Sequence, residues 1–220
     1  MSSEREPLDS LLRRLGLRWR VVPGRAEVEE VVKLRARLES AGKIAKVAVD
    51  AALRADAAIW GKLSNRSTAP ADDWPARVEL LGYYLHAADR LAFQAGGAPV
   101  RESLLRDATS IAAQILVRGS WLPPDGSPPD GQFLTNMEAE TIRNLEMANE
   151  EYSRCRKLID PNLSPEAASS QLVLTLTNNG REDAPLGDYL LASAAIIKGW
   201  ADSNLTETTV KEARHWKGRM

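Results

Sequence analysis

The sequence has a single cysteine, Cys155, and only two histidines, His86 and His215. One thiol excludes a disulfide framework or a thiolate metal cluster. Two histidines leave little for histidine-based metal chemistry. An excess of one charge is also missing: 29 Lys and Arg stand against 30 Asp and Glu, a formal net charge of -1. That balance excludes a whole-chain basic footprint for nucleic acid. No uncharged apolar run approaches the roughly 18 residues that a membrane span needs. The opening residues, Met1 to Pro7, carry no apolar segment placed like a signal peptide, so a cytoplasmic location is expected. Phosphate-cradling glycine loops are absent, and so is the Gly-x-Ser-x-Gly nucleophile elbow. What is there is globular in composition: 220 residues, 44% hydrophobic and 27% charged.

Helical periodicity dominates that content. From Ala26 to about Leu63, Val31, Leu34, Leu38, Ala41, Ala45, Ala48, Ala52, Ala55 and Ile59 recur at alternating steps of three and four. This is a heptad seam, and alanine at most of its positions requires a partner helix to approach closely. A straight helix of that length would run about 57 Å, longer than a globule of this size, roughly 44 Å across. The helix must therefore project or kink, with Ser40 and Gly42 the expected weak point. Further seams predict helices over about 72–96, 99–119, 132–160, 164–177, 183–200 and 206–216, and a short one over Pro7–Leu15. Leu172–Thr177 also alternates like a strand, but Ser164-Pro165-Glu166 is a helix start and no second good strand is available to pair with it. Two Pro-Asp-Gly repeats at 124–126 and 129–131 mark a loop. The fold class predicted is all-α: a bundle of six or seven helices, one of them long and heptad-patterned over about 26–63. Residues 1–24 form a basic amphipathic arm, and residues 25–220 form one bundle domain.

Two features point to binding. Ser10–Arg25 holds Arg13, Arg14, Arg18, Arg20 and Arg25 and no acid, interleaved with Leu11, Leu12, Leu15 and Trp19. Such a stretch can dock a partner, lie on an anionic membrane surface or contact nucleic-acid phosphates. On the second helix, Glu79, Tyr83, His86 and Arg90 form a stripe opposite the Trp74–Leu81–Leu85–Ala88 seam. Tyrosine and histidine seldom sit together on a bare solvent face, so this stripe is either a buried polar seam or a binding surface.

Other patterns are weaker. Glu138, Glu140 and Glu146 could hold a divalent ion in an all-α hydrolase, but the alternating charges of this helix fit an ion-paired face. Glu212-Ala213-Arg214-His215 matches the Glu-x-x-His of di-iron bundles without the second copy those sites need. Cys155 lies on an apolar seam, where a small buried hydrophobe is expected. No cofactor is implied. The expectation is a non-enzymatic helical interaction protein (an adaptor, regulator or assembly factor) that forms homo-oligomers or binds a protein partner. The alternatives are the metal-dependent hydrolase and nucleic-acid binding through the arm.

Overall fold

In the computed structural model, which describes residues 25–59, 62–63, 74–120, 130–159, 166–178 and 185–220, the periodicities become seven α-helices, with no strand among the described residues. They are α1 (Arg25–Ile59), α2 (Trp74–Gly96), α3 (Ala98–Ser120), α4 (Gly131–Ser153), α5 (Ala168–Asn178), α6 (Leu186–Asp202) and α7 (Leu205–Lys217). The all-α bundle is therefore the observed class. The segment 172–177 is helix, with Leu172, Val173 and Leu176 buried. The chain divides into two compact units, Met1–Arg35 and Ala36–Met220, and the hydrophobic core lies in the second. The expected helix at Pro7–Leu15 lies outside the described residues.

α1 is continuous helix through Ser40 and Gly42. The Ser40 hydroxyl, whose back-bonding to its own helix could have bent it, instead donates to Glu212 Oε2 on α7 at 2.8 Å. Ala41, Ala45, Ala48, Ala52 and Ala55 are fully buried. At about 0.8 kcal/mol per buried carbon, these five methyl groups contribute about 4 kcal/mol. Their small size also lets α6 come close. A Cβ added at Gly199 would lie 2.7 Å from the Ala51 carbonyl oxygen and 3.2 Å from Ala55 Cβ. The seam does not hold at its start, because Leu38 is exposed. The helix ends at Ile59, with Lys62 and Leu63 in the turn beyond it.

α2 is the central helix. It packs against α3, α4, α5 and α7, and every residue from Leu80 to Ala88 is buried. Over that stretch the helix has no solvent face to offer. It crosses α4 where Gly82 meets Ala148: a Cβ on Gly82 would approach Ala148 Cβ to 2.8 Å. Gly97, at φ 87°, makes the one-residue break into α3, a backbone conformation that glycine adopts freely.

α4 is shorter than its periodicity suggests, ending at Ser153 and not at Asp160. Beyond it the chain turns, and Lys157 forms an isolated parallel bridge with Ala167. Bonds from the backbone N–H groups of Ala168 and Ser169 to the carbonyls of Lys157 and Leu158 reward this departure from helix. At its other end, Asp130 of the second Pro-Asp-Gly repeat is the N-cap, accepting from the Phe133 N–H at 2.9 Å.

Candidate functional site

The stripe Glu79–Tyr83–His86–Arg90 faces α4 and the segment that follows it. Glu79 accepts a short hydrogen bond from the Tyr152 hydroxyl. Tyr83 is fully buried, with its hydroxyl donating to the Leu158 carbonyl at 3.3 Å. Its ring packs edge-on against Tyr84 and Tyr152, with centroids 5.2 and 5.9 Å away. His86 is 2% exposed. Its Nδ1 lies 2.8 Å from Asn149 Oδ1, an oxygen that accepts from the Nδ1–H tautomer, while Nε2 has no partner among the described residues. Arg90 donates to the carbonyls of Cys155 at 2.6 Å and Arg156 at 3.3 Å. The cation thus satisfies carbonyls freed where α4 ends.

Burial sets the protonation of these groups. Glu79 is raised above the ordinary carboxylate value, chiefly by desolvation, and the Tyr152 hydrogen bond acts against that rise. His86 is lowered, first by desolvation and then, against its Asn149 bond, by the charges of Arg90 and Arg101. Tyr152 is raised well above its usual range, again mainly by burial. The Cys155 thiol is also raised by burial, which keeps it in the unreactive form.

Beside this seam, α4 and the first turns of α2 enclose a groove of about 590 Å³. Its α2 wall is Trp74, Pro75, Val78 and Glu79. Along α4 it is lined by Met137, Glu140, Thr141, Asn144, Met147, Ala148, Glu150 and Glu151, with Arg154 at the helix C-cap. Of these, Met137, Glu140, Asn144, Met147, Glu151 and Arg154 recur at steps of three and four. α4 therefore carries two heptad stripes. One, through Thr141, Leu145, Ala148 and Tyr152, is buried in the bundle. The other, about 100° around the helix, opens to the groove. Met147 is 68% exposed at its centre. With Glu150, the groove holds four glutamates against one arginine.

The three carboxylates considered for metal do not converge. Glu138 is paired with Arg118 across the α3–α4 contact. Glu140 faces the groove, and Glu146, six residues on, points about 120° away. Among the described residues, no three His, Cys, Asp or Glu side chains come together as a metal site would require. Glu212 and His215 are separated in the same sense. Glu212 is buried, accepting from Ser40 and from Lys43 Nζ at 3.0 Å, while His215 is exposed. Glu212 therefore ties α7 to α1.

Arg13, Arg14, Arg18, Trp19 and Arg20 lie outside the described residues. The sequence reading missed the groove, although the second heptad stripe on α4 was its available signal. Asn149, the partner of His86, had no signal of its own. No described helix is long and apolar enough to cross a membrane. Compared with known proteins, the chain matches no family model, no curated protein and no solved structure.

Proposed function

We propose that the protein is a non-enzymatic helical interaction protein, an adaptor, regulator or assembly factor that works through protein–protein contacts. The groove between α2 and α4 carries this reading. It presents Met137 and Met147 of α4, in register with Glu140, Asn144 and Glu151, opposite Trp74 of α2. The ionisable groups at its back are already engaged: Glu79 with Tyr152, His86 with Asn149, and Arg90 with backbone carbonyls. Exposed apolar surface in an ordered pattern is how a folded domain advertises a contact site.

Self-association is part of the proposal and rests on α6. There Leu186 (72% exposed), Leu190 and Ile197 line one exposed face at helical spacing. Cytoplasmic residence is proposed from the near-neutral charge and the single buried cysteine. Contact of the arginine arm with an anionic membrane or nucleic acid rests on its sequence alone.

A photo-crosslinking amino acid placed at Met147, in cells that make the protein natively, tests the reading. A discrete adduct with another protein chain is expected, and it should be absent when the probe sits at exposed Glu102 on α3. Equal labelling from both positions, or none from position 147, refutes the groove as a contact surface.

A further inference from the structure

We propose that the groove between α2 and α4 seats a cationic amphipathic helix of about 17 residues from a partner protein. This rests on the interaction reading above and names the chemistry of the occupant. The first argument is register. Met137, Glu140, Asn144, Met147, Glu151 and Arg154 alternate at three and four, the spacing against which another helix packs its side chains. The bundle buries the neighbouring stripe of α4, of which Thr141 and Ala148 form the groove floor, and leaves this one facing outward.

The second argument is shape. From Met137 to the C-cap Arg154 the groove follows α4 over 17 residue steps, about 26 Å. A volume of about 590 Å³ spread over that length is shallow. Lying along a helix and open to solvent, it can take the side chains of one helix face. Met137 and Met147, with Trp74 at the wall, give a floor that adapts to an incoming apolar face.

The third argument is charge. Glu140, Glu150 and Glu151 line the groove with Glu79 at its wall, and Arg154 is the one cation among the lining residues. Glu150 pairs with Arg154, and Glu140 and Glu151 have no ion-pair partner among the described residues. An occupant with lysines or arginines flanking its apolar stripe would complement this rim, and an acidic one would be repelled. Nucleic acid and anionic lipid are disfavoured by the same carboxylates.

The test uses the full chain and a fluorescently labelled 17-residue Leu/Lys peptide in heptad pattern, followed by anisotropy. A Leu/Glu peptide of the same pattern and a scrambled Leu/Lys peptide are the controls. Binding of the patterned Leu/Lys peptide is expected, weakening as salt is raised because the rim charges are solvent-screened. Glu140→Lys with Glu151→Lys, both exposed positions, should weaken it by about tenfold or more and allow the Leu/Glu peptide to bind. A circular dichroism melt confirms that the double variant folds.

Equal affinity for the scrambled peptide, or no effect of the charge reversal, overturns the proposal. So does competition by spermidine at the affinity of the peptide, which would make the site one for a small organic cation. A concentration-dependent oligomer abolished by the same reversal would place a second copy in the groove and overturn it as well. If position 147 crosslinks a protein in cells while the Leu/Lys peptide fails to bind, the cationic helix is wrong and the interaction reading stands. If both fail, both are wrong.

Discussion

Two glycine-to-alanine changes in helices of this bundle should act with opposite sign. At Gly199 on α6, the added Cβ would lie 2.5 Å from Tyr84 Oη and 2.7 Å from the Ala51 carbonyl oxygen. The second contact is with backbone and cannot be relieved by a side-chain rotation. Either α6 moves off α1, at an overpacking cost of about 1–3 kcal/mol, or Tyr84 swings away too. In the latter case its hydroxyl loses the 2.8 Å bond to the Ile196 carbonyl. An unsatisfied buried hydroxyl adds about 1–3 kcal/mol, while the better helix propensity of alanine returns about 1 kcal/mol. For Gly199→Ala the net cost is then about 0–2 kcal/mol if only α6 moves and about 1–5 kcal/mol if the Tyr84 bond is also lost, and a destabilisation of about 1 kcal/mol or more is expected. At Gly42 on α1, a Cβ meets nothing within 4 Å. Gly42→Ala should therefore stabilise by about 0.5–1 kcal/mol through backbone entropy alone. Urea unfolding followed by far-UV circular dichroism measures both. Near-UV spectra should change only for Gly199→Ala, because Trp200 packs against the Tyr84 ring at 6.5 Å. A Gly199→Ala protein as stable as the parent would refute the close α1–α6 approach.

Three further outcomes follow from the buried polar contacts and the alanine seam. His86 has a folded-state value below the ordinary 6.5, so below pH 6.5 the unfolded chain takes up a proton that the folded one resists, and stability contributed by neutral His86 is lost as pH falls. Glu79, raised above 4.5, acts with the opposite sign, so the useful measure is the difference between the parent and His86→Gln. That difference should shift against the parent between pH 7.5 and 5.5, and a constant gap would show that His86 does not titrate as a buried group. Glu212→Ala strands the buried Ser40 hydroxyl and should cost about 1–3 kcal/mol in a urea melt; a neutral result would mean that α7 is not tied to α1 at this point. Ala48→Leu forces a larger side chain into a fully buried position and should cost about 1–3 kcal/mol; an unchanged melting temperature would mean that the seam is open to solvent.

Local signals made most of the helices legible. The alanine seam from Ala41 to Ile59, the Gly96-Gly97 stop and the Pro99 restart each depend on residues within a few positions of one another, and each holds in the structure. The aromatic and imidazole groups behind the α2 seam signalled either a second buried face or a binding surface, and Tyr83 and His86 are buried. What could not be read depends on distant partners. Glu212 looks like part of a polar tail until Ser40, 172 residues away, is placed beside it. Gly82 and Gly199 look like ordinary helix-weakening residues, because their need for small size comes from Ala148 and Ala51 on other helices. The end of α4 was overestimated because Tyr152, Cys155 and Ile159 keep helical spacing, whereas the backbone bonds that end it are made to residues 166–169. Leu186 fits a helical seam yet is exposed, since spacing alone does not say which stripe faces the core.

The bond from Ser40 to Glu212 has a consequence for synthesis. The acceptor is translated 172 residues after the donor, an interval of roughly 10–30 s at about 5–20 residues per second. Over that time the alanine-lined face of α1 has been made but its lock on α7 has not. The bonds from Tyr84 to Ile196 and from Trp216 to Ser103 span 112 and 113 residues, so the core helices share this wait. A nascent chain stalled before α7 would hold the Ser40–Lys43 part of α1 without its contact to Glu212, although Ala51 and Ala55 could already meet α6. Unclosed apolar helix of this kind is what chaperones bind and what associates with neighbouring chains. Loss of the last dozen or so residues should therefore reduce the yield of soluble protein more than the modest size of α7 suggests, because α7 is what closes the bundle.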